Sequence, residues 1–189
     1  LPEESFLAKM SSDLKPRHPE NLSADELRRI NEGCHQMVQS VYESTLTLLN
    51  RKKIPAVVGG DHSVSFGIVK ALSEQNQGDF GVLHIDAHMD LRHAYQGFVH
   101  SHASIMRNVM ELDLAPQSLV QVGIRDYCEE ESTYASQRSD IQVFFDRDLK
   151  KRLFLGQTWD QVCKEIVAAL PGRVYISFDI DGLSPEFCP

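Results

Sequence analysis

The amino-acid sequence predicts a three-layer α/β/α domain on a mainly parallel sheet, and three observations carry that reading. Short runs that are apolar on both faces recur at 54–58, 80–85, 119–124, 143–145 and 174–180, the mark of strands buried on both sides. Stretches of helical length and period, such as 65–75, 103–112 and 159–170, separate most of them. Histidines and aspartates gather just after three of the runs and not before them, on the side where open parallel sheets bind ligands.

Taken in order, residues 1–20 carry Pro2, Pro16, Pro19 and scattered charges and read as a lead-in. Ser23 and Glu26 have capping-box spacing, and Leu27, Ile30, Cys34, Met37, Val38, Val41, Leu48 and Leu49 follow with helical period. That helix is expected to end near Lys52 and Lys53, whose charge suits its C-terminal dipole. The first strand, 54–58, runs into Gly59 and Gly60, a pair that lets the backbone turn tightly and bring His62 close. The strand 80–85 leads to Asp86-Ala87-His88-Met89-Asp90, and the last strand carries Asp179 and Asp181. Residues 1–189 form one domain in this reading. It starts at Leu1 and stops shortly after a strand with no crossover helix, so it reads as an excerpt incomplete at both ends.

Composition removes several classes. With 42% hydrophobic and 24% charged residues in 189, disordered, collagen-like and coiled-coil chains are excluded. No apolar run nears the roughly 18 residues of a membrane helix, and nothing resembles a signal peptide, so no membrane partner is expected. Cys34, Cys128, Cys163 and Cys188 form no C-x-x-C pair, which suggests free thiols in a reducing, cytoplasmic setting. A net charge of -8 argues against nucleic acid as a partner and suits a holder of cations.

Alternate residues of an extended strand point the same way, so Asp86, His88 and Asp90 converge if the strand stays extended, as do Asp179 and Asp181. Four crowded carboxylates repel without counter-charge, and two divalent ions bring +4 against their -4. Carboxylates and imidazoles without thiolate favour a hard ion such as Mn²⁺, with Zn²⁺ and Fe²⁺ left open. Six side chains exceed what one ion with an open position needs; two ions ~3.5–4 Å apart form a hydrolytic clamp.

The segments Gly-Gly-Asp-His-Ser (59–63), Asp-Ala-His-Met-Asp (86–90) and Ser-Phe-Asp-Ile-Asp-Gly-Leu (177–183) resemble the three metal motifs of the ureohydrolase family, which comprises arginase, agmatinase and formimidoylglutamase. The likeness runs over about residues 54–189. It implies a parallel sheet flanked by helices, two Mn²⁺ per chain, a small cationic guanidino or formimino substrate, and a homo-oligomer, trimer or hexamer. By motif it places His62, Asp86, Asp90 and Asp179 on one ion and His88, Asp86, Asp179 and Asp181 on the other. It also gives Asp90 a hydrogen bond to the attacking water. Ser101-His102-Ala103-Ser104 is similar to the family's S-H-G-T stretch, with Ala103 for Gly, which makes His102 the proton-transfer residue in preference to His100.

The sequence departs from the family at Ser184-Pro185, where Asp-Pro is usual. Members of the family run on past this point to a segment that supplies a glutamate to the guanidinium, which is absent from these 189 residues, and the family's first strand is missing or not recognisable. Gly123-Ile124-Arg125-Asp126-Tyr127-Cys128 keeps one aspartate of the arginase pattern but has Cys128 in place of the second. Residues 97–100 also lack the arginase Asn/Ser loop. The resemblance therefore points first to agmatinase, cleaving agmatine to putrescine and urea, with formimidoylglutamase and arginase as alternatives. A metal-binding scaffold or regulatory member, and a single-Zn²⁺ deacetylase on a related fold, stand as further alternatives that metal stoichiometry separates. Other residues have plainer expectations. Asp61 is a loop cap or a contact behind the site, and His84 is a hydrogen-bonded core histidine. His18 and His35 face solvent or pack, His93 and His100 are loop residues, and Phe144, Phe145, Phe154 and Trp159 belong to the core.

Overall fold

The computed structural model describes residues 21–184 and 186–188, so His18 and Pro185 lie outside the described residues. Helix α1 (Ala24–Asn50) opens on the expected capping box: Ser23 Oγ accepts from Glu26 N at 3.3 Å, and Ser23 N donates to the Glu26 carboxylate at 2.9 Å. It ends before the two lysines, because Lys52 takes a left-handed φ of 55°, which no helix continues.

Four strands follow: β1 (Gly81–Ile85), β2 (Ser118–Ile124), β3 (Ile141–Phe145) and β4 (Val174–Phe178). They pair in the order β3-β2-β1-β4, all parallel. The connections carry α2 (Ser65–Asn76) before β1, α3 (Ile105–Met110) after it, α4 (Glu129–Ser136) between β2 and β3, and α5 (Asp146–Phe154) with α6 (Trp159–Ala168) between β3 and β4. Successive residues of β2 serve opposite faces: Leu119 joins the core with Ile68, Val69, Met106 and Val109, whereas Val120 and Val122 pack with Leu149, Val162 and Ile166. That alternation makes three layers, with α1–α4 contributing to the first core and α5 and α6 to the second.

Two expectations need correction. Residues 54–58 form no strand; Ile54 and Val58 are 98% and 97% exposed, and open grooves lined by Val174 and Ile176 and by Phe178 and Ile180 separate the segment from β4. An extended segment becomes a strand only when a neighbour accepts its hydrogen bonds, and among the described residues none does. Phe154 and Trp159 are 91% and 53% exposed; they flank the turn between α5 and α6, outside the face of Val162 and Ile166 that meets the sheet. Helices α4 and α5 open on acidic first turns, and Lys151 and Arg152 lie in the last turn of α5, charges that match the helix dipoles. No helix among the described residues is long and apolar enough to cross a membrane, and all four cysteines are free.

Candidate metal centre

The six predicted ligands meet at the carboxyl ends of β1 and β4, though not by the expected route. Strand β1 stops at Ile85, and the chain loops so that Asp90 takes φ 55°. Its carbonyl accepts from Met106 N at 3.0 Å and Arg107 N at 3.1 Å, which ties this unusual backbone to α3. Strand β4 stops at Phe178, and Asp179 caps a 3-10 turn, Ile180–Gly182, accepting from Asp181 N at 3.2 Å. Side chains converge from turns, then, rather than from one face of an extended strand.

Close backbone approach sets the two motifs side by side. Asp179 N donates to Ile85 O at 2.9 Å and Asp86 N to Val122 O at 3.1 Å. A Cβ on Gly182 would lie 3.0 Å from Asp86 N, a tight contact with backbone, so glycine here lets the turns approach without displacing each other. Gly123, at φ 94°, interrupts the β2–β3 register and faces Asp86 O, while Arg125 reaches across to the carbonyls of Asp181 and Leu183.

His62 lies in a short turn begun by Asp61, whose carboxylate accepts from Ser63 N at 2.9 Å. Its Nδ1 sits 2.8 Å from Asp90 Oδ2, 3.2 Å from Asp86 Oδ2 and 3.7 Å from Asp179 Oδ2, and its Nε2 lies 2.7 Å from Ser177 Oγ. Burial pulls this imidazole toward neutrality, but the Asp86 and Asp90 carboxylates outweigh it and push its pKa up to about 10. Burial alone would raise Asp86, yet hydrogen bonds from His62 and His84 hold it well below the usual carboxylate range. Burial pushes Asp90 up. Burial and the charges of Asp86 and Asp179 push Asp181 up as well.

On the outer side, His88 Nδ1 lies 3.0 Å from Asp181 Oδ2 and 3.4 Å from Asp86 Oδ1. Burial lowers its basicity, but the charges of Asp181 and Asp86 outweigh that and raise it. Two sets of donor atoms result, each within 4.8 Å of one another: His62, His84, Asp86 and Asp90, and Asp86, His88 and Asp181. Asp86 is common to both. The donors fit divalent cations: hard oxygens and imidazoles converge, and His62 Nδ1 stands among three carboxylates that call for a counter-charge.

A cavity of about 360 Å³ opens above the carboxylates, walled by Tyr95, His102, Asp126, Tyr127 and Glu131. His102 sits on its wall with Nδ1 3.6 Å from Asp61 Oδ2 and its ring edge-on to Tyr95, so Asp61 both caps its turn and faces His102. His100 points elsewhere: it stacks on Phe66 with centroids 5.4 Å apart, and its Nδ1 is buried without a partner. His93 is exposed, and His35 lies 6.0 Å from the His100 ring. Four residues at the site carry no role in the sequence reading. Glu131 is buried, accepts from Leu91 N and Cys128 N at 3.0 Å each, and faces Arg92 at 3.6 Å. Ser177 and Gln121 lie on strands beneath the carboxylates, and Tyr127 stands at the cavity wall. Only position gave three of them away: Gln121 and Ser177 lie on strands and Tyr127 just past β2, whereas Glu131 stands in the first turn of α4.

A parallel sheet crowned by two linked acid–imidazole clusters defines an α/β domain suited to gathering divalent cations. The model of the arginase family matches residues 8–189, and the chain belongs to that family. It is 34% identical over 171 residues to the mitochondrial arginase of Medicago truncatula, covering 87% of this chain and 47% of that protein. It is 33% identical over 158 residues to the agmatinase of Bacillus cereus, covering 83% and 50%. The solved arginase of Medicago truncatula superposes with a TM-score of 0.68 at 32% identity, covering 86% of this chain and 50% of that one. The chain thus spans about half the length of the curated relatives it matches.

Proposed function

We propose that this protein is a binuclear Mn²⁺ ureohydrolase that cleaves a guanidino C–N bond, with agmatine as substrate. The observation that carries the reading is the pair of donor clusters joined at Asp86 on the floor of one cavity. His62, Asp86, Asp90 and Asp179 would hold one ion and His88, Asp86, Asp179 and Asp181 the other. Bound divalent cations supply water acidified toward neutrality. Asp90, held by the Met106 and Arg107 amides, orients the attacking water through its carboxylate. Asp126 lies 3.6 Å from His88 Nε2, and with Tyr95 and Tyr127 it offers a cationic guanidinium an acidic and aromatic wall. His102, facing Asp61, delivers a proton to the leaving amine.

The agmatine choice rests on Cys128, which supplies no carboxylate and instead heads α4. Mn²⁺-loaded protein is to be assayed for urea from agmatine and from arginine and for formamide from formimidoylglutamate. Urea from agmatine is expected. Urea only from arginine, formamide only, or no product from any of the three overturns the reading in favour of arginase, formimidoylglutamase or a non-catalytic member. The reading includes a cytoplasmic homo-oligomer, a trimer or hexamer, which light scattering of the purified protein measures.

A further inference from the structure

We propose that His84 and Gln121 form a positioning relay that fixes the Asp86 carboxylate so that each of its oxygens faces one cluster. The proposal deepens the metal reading above and rests on Asp86 being shared. Its basis is a polar row in an apolar sheet. His84 on β1 is in register with Gln121 on β2 and with Ser177 on β4, and all three side chains are buried.

The hydrogen bonds along this row have one direction. Gln121 Nε2 lies 2.6 Å from Met89 O and 2.9 Å from His84 Nδ1. A carbonyl only accepts, so the amide presents its NH₂ group there, and its second hydrogen goes to His84 Nδ1. The ring proton is therefore on Nε2, which donates to Asp86 Oδ2 at 2.8 Å. The arrangement leaves Gln121 Oε1 buried without a partner. Flipping the amide would not help, since it would set Oε1 against Met89 O and strip His84 Nδ1 of its donor. Both ring nitrogens are engaged, which makes His84 a positioning residue and not an ion ligand, although Nε2 lies within the first cluster.

Asp86 then carries one fixed donor on each oxygen: His84 Nε2 on Oδ2, and the His88 backbone N–H on Oδ1 at 2.7 Å. Two donors prevent the carboxylate from rotating. One lone pair of Oδ2 is left toward His62 and one of Oδ1 toward His88 Nδ1, the geometry a bridging ligand requires.

Two measurements test the relay. In metal-free, ¹⁵N-labelled protein, long-range proton–nitrogen correlation is expected to place the His84 ring proton on Nε2; a proton on Nδ1, or on both nitrogens, overturns the proposal. Calorimetric titration with Mn²⁺ is expected to show ~10–100-fold weaker binding in His84→Phe, which keeps the bulk but not the donor. His84→Gln, which returns an amide N–H to the same reach, is expected to recover part of that loss, and Gln121→Leu to weaken binding less than His84→Phe. The unfolding midpoint of each metal-free variant controls for folding, and Gln121→Leu carries the affinity test if His84→Phe does not fold. Wild-type affinity in a folded His84→Phe, or equal weakness in His84→Gln, overturns the relay alone. No Mn²⁺ uptake by the wild-type protein overturns the metal reading itself.

Discussion

Ser177 Oγ lies 2.7 Å from Nε2 of His62, joining β4 to a turn 115 residues earlier in the chain. The hydroxyl engages the ring nitrogen that faces away from the carboxylates. It leaves Nδ1 to Asp86, Asp90 and Asp179, so that a proton or a metal ion on that side competes for the same electron pair.

That competition sets a pH dependence. In the metal-free protein the His62 pKa is about 10, above the ordinary 6.5, so the stability its charge contributes is fully present below about 6.5 and is lost as pH rises through about 10. An ion at the first cluster must displace this proton, so its affinity should rise up to about tenfold per pH unit within that window. Chelator competition from pH 6.5 to 8.5, with proton release measured in buffers of different ionisation enthalpy, checks this. A flat profile would show that His62 binds no ion through Nδ1.

Asp86 and Asp181 should part company on mutation. Asp86 belongs to both clusters and Asp181 to one. Asp86→Ala is expected to empty both sites, and Asp181→Ala to keep at least one of two Mn²⁺ per chain. Elemental analysis of dialysed protein settles it; two ions and normal turnover in Asp86→Ala would refute the shared-ligand assignment.

His102→Ala should keep its metal and slow urea release by ~10²–10⁴-fold. His100→Ala should leave turnover near normal and lower the unfolding midpoint instead, because its ring packs on Phe66 outside the cavity. Assays of both variants from pH 6 to 10, with metal content measured on the same samples, compare them. Metal loss in His102→Ala would mark a structural residue.

Glu131→Leu should destabilise the protein by about 1–3 kcal/mol, since it strands the buried Leu91 N–H that the carboxylate now satisfies. The loss is expected in urea denaturation at constant m-value. Glu131→Gln, which keeps one acceptor oxygen, should lose less; equal losses would point to packing rather than to the hydrogen bond.

The candidate site was legible because its chemistry cannot hide: His62, Asp86, His88, Asp90, Asp179 and Asp181 stand after apolar runs where a loop needs no such density of charge. Their route was not legible. Period-two spacing suggested extended strands, whereas Asp90 at φ 55° and the Asp179 cap show that tertiary hydrogen bonds redirect the backbone just past each strand. The 54–58 run has strand composition but pairs with no neighbour among the described residues, and no sequence pattern records whether a strand finds its partner. Gln121, Ser177 and Glu131 are ordinary polar residues until burial and strand register give them partners.

The row of Gln121, His84 and Ser177 also bears on how the strands find their alignment. Leu83, Ile85, Val120 and Val122 are apolar, and sliding β2 past β1 by two residues would still bury hydrocarbon against hydrocarbon. It would also strand an amide and an imidazole in the dry interior. Of such alignments, the one that sets Gln121 opposite His84 gives both groups a partner, so this pair acts as a latch that selects one sheet from several near-equivalent ones. A variant that removes the latch with an apolar isostere could gain stability and yet fold into a mixture of offsets.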